Sequence, residues 1–302
     1  MVDKRKAMVL ASFVGDSLAL GAHWIYDVFE INRRFGRVEN LLKPMKDSYH
    51  PMKDAGEFTH YGDQALVLLE SLAERRAFDL DRFAALWRHF FEGYHGYFDH
   101  ATKGTLANFA AGKGPGESGS PSSDLAGASR IAPIVYLFGD DTAGLVAAVR
   151  AQTRMTHNNE SVVQAAEFFA RVAGLVLQGR SPTQAMNDVC SEVYPGGSLA
   201  ESVRRGLESA GMETEQAVLE FGQSCDQRGA VPSVVHLVAR HEADLKEALV
   251  QNVMAGGDSA ARGLLVGMLL GAHLGMESIP PEWLASLKKR DHIVNLLNGI
   301  RP

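Results

Sequence analysis

Apolar side chains in this chain recur at helical spacing almost from end to end. Val9, Phe13, Leu20 and Trp24 fall on one stripe of a helix, and similar stripes run through 65–75, 83–94, 129–138, 162–177, 237–254 and 259–274. Alternating segments of strand type are nearly absent, since 37–42 is too short and too mixed to serve as one. Turn chemistry separates the stripes at Gly112-Lys-Gly-Pro-Gly, at 118–123, at Tyr194-Pro-Gly-Gly, at Gly256-Gly257 and at Pro280-Pro281. An all-α fold, a compact orthogonal helical bundle, meets this pattern. Helices of the same character flank 112–123, so that stretch reads as a surface loop and 1–302 as a single domain.

Composition narrows the function classes. Hydrophobic residues make up 46% and charged residues 22%, which a packed core requires and a disordered chain lacks. The 30 Lys and Arg against 36 Asp and Glu leave a net charge of −6, with no basic excess to displace phosphate counterions, so a nucleic-acid partner is not expected. No apolar run reaches the roughly 18 residues that span a bilayer, so no membrane partner is expected either. Lys4-Arg5-Lys6 resembles the start of a signal peptide, but Asp16 interrupts the apolar segment and no small-residue cleavage site follows. The two cysteines, Cys190 and Cys225, form no paired motif. A cytoplasmic protein is the expectation.

The common catalytic templates are missing. There is no HExxH, no Walker loop and no GxSxG, which Gly116-Glu-Ser-Gly-Ser misses by one residue. Polar residues inside apolar helices are more informative. Asp16, Leu20, His23 and Asp27 step by 4, 3 and 4, which puts them on one helical face. A carboxylate there needs a partner, because burying it alone costs several kcal/mol. Asp63 and Asp258 each follow glycine and open an apolar helix, so each is either an N-cap or a ligand. His23 is either a bonded structural histidine beside Trp24 or an acid–base group oriented by Asp16 or Asp27.

In order along the chain, these segments resemble the ADP-ribosylglycohydrolase superfamily, especially its J1-crystallin-like branch. Gly15-Asp-Ser-Leu is similar to an N-terminal Gly-Asp-Ala-Leu-Gly, and Tyr61-Gly-Asp-Gln stands where the hydrolases carry Thr-Asp-Asp-Thr. Gly127-Ala-Ser-Arg-Ile-Ala-Pro resembles the central segment, and Thr156-His157 stands where the family opens its next helix. Gly257-Asp-Ser-Ala-Ala, followed by a glycine-rich helix, stands at Gly-Asp-Thr-Asp-Thr. The resemblance implies a ligand cleft where the helix starts converge, and cleavage of a ribosyl glycosidic bond assisted by two Mg²⁺ ions.

Carried over position by position, only part of that site is present. Asp63 and Asp258 keep metal-ligand positions, while Gly62, Gln64, Ala260 and Ala261 replace other motif residues, and His23 stands at a glutamate position. Two carboxylates offset half the charge of two divalent ions, so one Mg²⁺ at most is implied. The resemblance further assigns catalysis to Asp63, His23 and Asp16. It assigns ligand contacts to Gly127, Ser129, Thr156, His157, Gly257 and Arg262. Arg262, four residues after Asp258, is either an exposed surface partner or a cation filling the charge space of the lost metal. Lys103 and the 118–123 loop are candidates to meet a pyrophosphate. The expected partner is an ADP-ribose-type small molecule or an ADP-ribosylated substrate. The alternative is a non-catalytic ligand-binding or structural crystallin-like protein.

Overall fold

The computed structural model describes residues 2–300. The first half of the chain forms α1 (Val2–Ala19), α2 (Val28–Phe35), α3 (His60–Arg75), α4 (Leu80–Glu92), α5 (His100–Ala110), α6 (Ala126–Ser129), α7 (Ala132–Phe138) and α8 (Thr142–Thr156). The second half forms α9 (Glu160–Leu177), α10 (Pro182–Val193), α11 (Ser198–Glu208), α12 (Thr214–Phe221), α13 (Gln227–Arg240), α14 (Leu245–Met254), α15 (Ser259–Leu274), α16 (Pro281–Ser286) and α17 (Arg290–Ile300). Among the described residues, extended pairing is limited to two isolated bridges, Ser120 with His157 and Asp124 with Asp226. The fold is all-α, as the periodicity requires. No described helix is long and apolar enough to cross a membrane.

Helix α15 is the axis of the molecule. Every residue from Ser259 to Ala272 is buried, which is why its sequence is apolar on all sides rather than striped. Its most extensive partner is α1. The two backbones touch through small residues: a Cβ at Gly15 would lie 2.1 Å from the carbonyl oxygen of Gly263, and one at Gly267 would lie 2.1 Å from that of Ala11. Ser12 Oγ donates to the Leu264 carbonyl at 2.8 Å inside the same contact. This close approach carries the end of α1, with Asp16 and His23, to the N-terminus of α15, with Asp258.

Three of the stripes are broken by turns that spacing does not show. The first ends at Ala19 and a 3₁₀ turn at Leu20–Ala22, and Trp24 leaves it at a left-handed φ of 65°. Asp27 therefore does not share a face with Asp16 and His23; it is exposed and caps α2, accepting from Phe29 N at 2.9 Å. The 237–254 stripe is two helices, α13 and α14, divided by a turn whose Asp244 caps the second. The 129–138 stripe breaks after α6, and α7 restarts with Pro133 in its first turn. Stripes continue across such turns because both helices bury the same side.

Candidate active site

Four loops are bound to one another by main-chain bonds. Trp24 N donates to Gly257 O (3.0 Å) and Gly257 N to Ile25 O (2.8 Å), while Asp258 N donates to Gln223 O (2.9 Å). Leu125 N donates to Cys225 O (2.8 Å) and Gln227 N to Ser123 O (2.9 Å). Gly256 and Gly257 have φ of 70° and 69°, and a Cβ at Gly257 would meet Gln223 O at 2.2 Å, so this junction requires glycine. The consequence is that Asp124, Cys225 and Asp258 place ligand atoms within 4.8 Å of one another.

Asp258 is fully enclosed. Its Oδ1 accepts from His23 Nε2 at 3.0 Å, and its Oδ2 accepts from the Tyr61 hydroxyl at 3.1 Å. Behind it, His50 Nε2 lies 2.9 Å from His23 Nδ1. This order of partners assigns the protons: His50 donates to His23 and His23 donates to Asp258. Burial holds both imidazoles below the usual histidine range. Burial raises the Asp258 carboxyl, yet the His23 bond and the charge of Arg262 outweigh it and leave the group below its ordinary value. Asp124 moves the opposite way. Burial, then the charges of Asp258 and Asp99, push it well above the carboxylate range. Two neighbouring acids are thereby pushed in opposite directions by their surroundings.

Asp258 also caps α15, accepting weakly from Ala261 N at 3.4 Å, so the capping and site readings of this residue coexist. Asp63 is not a cap. Thr59 caps α3, accepting from Tyr61 N at 3.1 Å, and Asp63 lies within the helix. The Asp63 Oδ2 atom meets Lys53 Nζ at 2.5 Å and the Tyr94 hydroxyl at 2.6 Å. Asp16 joins α1 to α3, accepting from Thr59 N (2.8 Å), Thr59 Oγ1 (2.6 Å) and Gly62 N (3.2 Å). Its burial raises it to about 7 despite those donors.

Arg262 is completely buried, so the exposed-pair reading is corrected. It makes no direct bond to Asp258: Nη2 donates to Gly256 O at 2.5 Å and Nε to Asn252 Oδ1 at 3.0 Å. Thr156 and His157 end α8 rather than opening the next helix, which Asn159 caps. The Thr156 hydroxyl accepts from the buried Arg130, held down to about 10 by burial, and lies 2.9 Å from His157 Nδ1. His157 Nε2 is buried with no partner, and burial with the Arg130 charge lowers this imidazole to about 3. Gly127 packs under His157, where a Cβ would meet the ring at 2.6 Å, and Ser129 is buried, donating to Ala126 O at 3.0 Å. Gly257 belongs to the loop junction. Lys103 is exposed, with its ammonium 6.0 Å from the Tyr97 ring centre.

Asp124, Cys225, Tyr61, His50 and Lys53 were not marked by the sequence. The flagged 118–123 loop stops one residue before Asp124. An aromatic layer edges the group: Trp24 lies 4.9 Å from both Tyr49 and Tyr97, and Tyr26 and Tyr49 are about half exposed. A cleft of about 130 Å³ opens there between His23, Trp24, Tyr49 and Arg34. A larger hollow of about 610 Å³ between α10 and α11 is lined by Glu201, Arg204 and Glu208, which pair among themselves.

Asp124, Cys225 and Asp258 could together hold a metal ion. A thiol in the set matches a softer ion than Mg²⁺, which takes oxygen ligands in an octahedral shell. Gly62 and Ala260 offer no donor, and Gln64 Oε1 already accepts from Trp87 Nε1 (2.8 Å) and Arg130 Nη1 (2.5 Å). The residues present do not fit a two-ion Mg²⁺ centre.

The fold is that of an all-α protein built around one buried central helix. The chain matches the ADP-ribosylglycohydrolase family over residues 1–301 and belongs to it. A solved structure described as an ADP-ribosylglycohydrolase-related protein complex superposes with a TM-score of 0.79 at 26% identity, covering 99% of this chain and 97% of that one. Crystallin J1A of Tripedalia cystophora is 26% identical over 311 residues, 97% of this chain and 94% of that protein. The ADP-ribosyl-[dinitrogen reductase] glycohydrolase of Rhodospirillum rubrum is 29% identical over 140 residues, 46% of this chain and 42% of that protein.

Proposed function

We propose that this protein binds an ADP-ribosyl group and hydrolyses its glycosidic bond, with Asp124 as general acid and Asp258 as the carboxylate facing the anomeric carbon. The observation that carries this reading is that two buried carboxyls meet at the Tyr61 hydroxyl with ligand atoms within 4.8 Å, divided by their surroundings into one pushed up and one held below the ordinary carboxylate range. Glycoside cleavage needs that division: one acid gives a proton to the leaving group, and one carboxylate stabilises the cation-like transition state. Their ligand atoms lie within 4.8 Å, below the ~6.5–9.5 Å separation that leaves room for a water between the carboxyls. Family membership and the glycohydrolase relative support the substrate class.

In this reading His23 and Asp16 support the site rather than react. His23 has both ring nitrogens engaged, by His50 and Asp258, so it orients Asp258 and has no free lone pair for water. Tyr26, Tyr49 and Tyr97 offer faces on which an adenine ring stacks, a contact worth about 1–3 kcal/mol per base. In this reading Lys103, beside Tyr97 at the aromatic layer, meets the pyrophosphate, and the unpartnered Nε2 of His157 is left for a ribose hydroxyl. The crystallin relative keeps a second reading in play, a fold retained for binding or packing alone.

Calorimetric titration of ADP-ribose, with and without EDTA, tests the reading together with an assay for ADP-ribose release from ADP-ribosylated protein. Binding that survives EDTA, with turnover lost in Asp124→Asn, is expected. Binding without turnover in the wild type would leave the crystallin-like reading. No binding in either condition would overturn both the substrate class and the reaction.

A further inference from the structure

One connection supplies partners to two acids of the site. The residues between α2 and α3 bring His50 against His23, behind Asp258, and bring Lys53 against Asp63. Lys53 Nζ lies 2.5 Å from Asp63 Oδ2, and the side chains are only 15% and 14% exposed. The ammonium also stands 5.7 Å from the centre of the Tyr94 ring, whose hydroxyl donates to the same oxygen. The carboxylate is thus met by a full positive charge, a phenol and an aromatic face.

We propose that the Lys53 ammonium is the built-in counter-ion of Asp63, occupying the position where a metal-using relative would place a divalent cation, so that Asp63 is not a metal ligand in this protein. Three observations converge. Any cation joining Asp63 Oδ2 would stand beside an ammonium already 2.5 Å from that oxygen, and such like charges repel strongly when withdrawn from water. The neighbouring motif positions give no second donor, because Gly62 has no side chain. The carbonyl oxygen of Gln64 points to Trp87 and Arg130, while its amide donates to His60 O at 3.0 Å. Finally, Lys53 has no other carboxylate partner among the salt bridges of the described residues, so the pairing is specific. The Arg262 guanidinium, four residues from Asp258, makes no such direct pair with it, since its N–H groups donate to oxygens of Gly256 and Asn252. The proposal does not depend on whether the protein cleaves a bond.

The test is Mn²⁺ binding to the full-length protein, read by electron paramagnetic resonance of the free ion, in wild type and Asp63→Asn. The expected isotherms coincide in number of ions and agree within about twofold in affinity, whatever the Asp124–Cys225–Asp258 group binds. Loss of an ion, or weakening of tenfold or more, in Asp63→Asn would overturn the proposal. A second measurement reads the pair itself. Lys53→Met leaves a buried carboxylate without its counter-charge and is expected to lower the melting temperature. Adding Asp63→Asn to it should recover at least half of that loss, because neighbouring members of one ion pair are not additive. Additive losses in the double variant would also overturn the proposal. If Lys53→Met does not fold, the Mn²⁺ comparison decides alone.

Discussion

Asp124 and Asp258 approach each other across the hydroxyl of Tyr61, which lies 3.1 Å from Asp258 Oδ2 and 3.5 Å from Asp124 Oδ2. The phenol has one proton, and the shorter contact, to Asp258, takes it, while burial and its acidic neighbours push the Asp124 carboxyl up beside the same oxygen.

The proposed chemistry therefore has a signed pH dependence. Asp258 lies below its ordinary value, so activity should fall only when the pH drops through that low value. Asp124 lies well above its ordinary value, so activity should fall again as the pH rises through it and the acid is lost. Asp124→Asn is expected to lower kcat by about 10²–10⁴-fold and to remove the alkaline limb. Rates of ADP-ribose release across pH, in both proteins, check this.

Asp16 makes stability itself pH-dependent. Its folded value, about 7, exceeds the unfolded one, so its contribution is fully present below about 4 and is lost as pH rises through 7. Three units amount to roughly 4 kcal/mol. Compared with Asp16→Asn, which has no such titration, the wild type should lose relative stability between pH 4 and 7. Urea unfolding of both at several pH values measures the difference. A wild-type stability that rises relative to Asp16→Asn over this range would have the wrong sign.

Arg262 is expected to be a structural cation. In Arg262→Met the carbonyls of Gly256 and Asn252 lose their donors, and Asp258 loses a nearby positive charge. Breaking such a buried arrangement costs about 3–5 kcal/mol. Chemical denaturation of the variant should show a loss of that order, whereas an exposed pair would cost a few tenths.

The α1–α15 contact predicts a sharp contrast between glycines. Gly15→Ala drives a methyl into the Gly263 carbonyl, so a loss of at least about 1–3 kcal/mol is expected. A Cβ at Gly114 meets nothing within 4 Å, and Gly114→Ala should be nearly neutral. Thermal melts of the two variants give the comparison.

Much of the molecule is local and therefore readable along the chain. A helix closes its hydrogen bonds within a few residues, so the stripes at 162–177 and 259–274 become α9 and α15 almost residue for residue. Where a stripe crosses a turn, as at 237–254, spacing cannot show the break, because both helices bury the same side of the chain. The acids of the site were partly legible for the same reason: Asp16, Asp63 and Asp258 stand out as charges at the starts or centres of apolar helices.

What those acids face was settled only in three dimensions. Asp258 finds His23 because glycine contacts let α1 lie against α15, and it finds Asp124 and Cys225 because loops far apart in sequence share main-chain bonds at 223–227 and 256–258. Asp63 finds Lys53 through an irregular connection with no periodicity to read. The sequence determined which segments coil and which positions carry charge, since both depend on neighbouring residues. The tertiary structure decided which carboxyl is pushed up, which is held down and which meets an ammonium, because desolvation and Coulomb forces act through space.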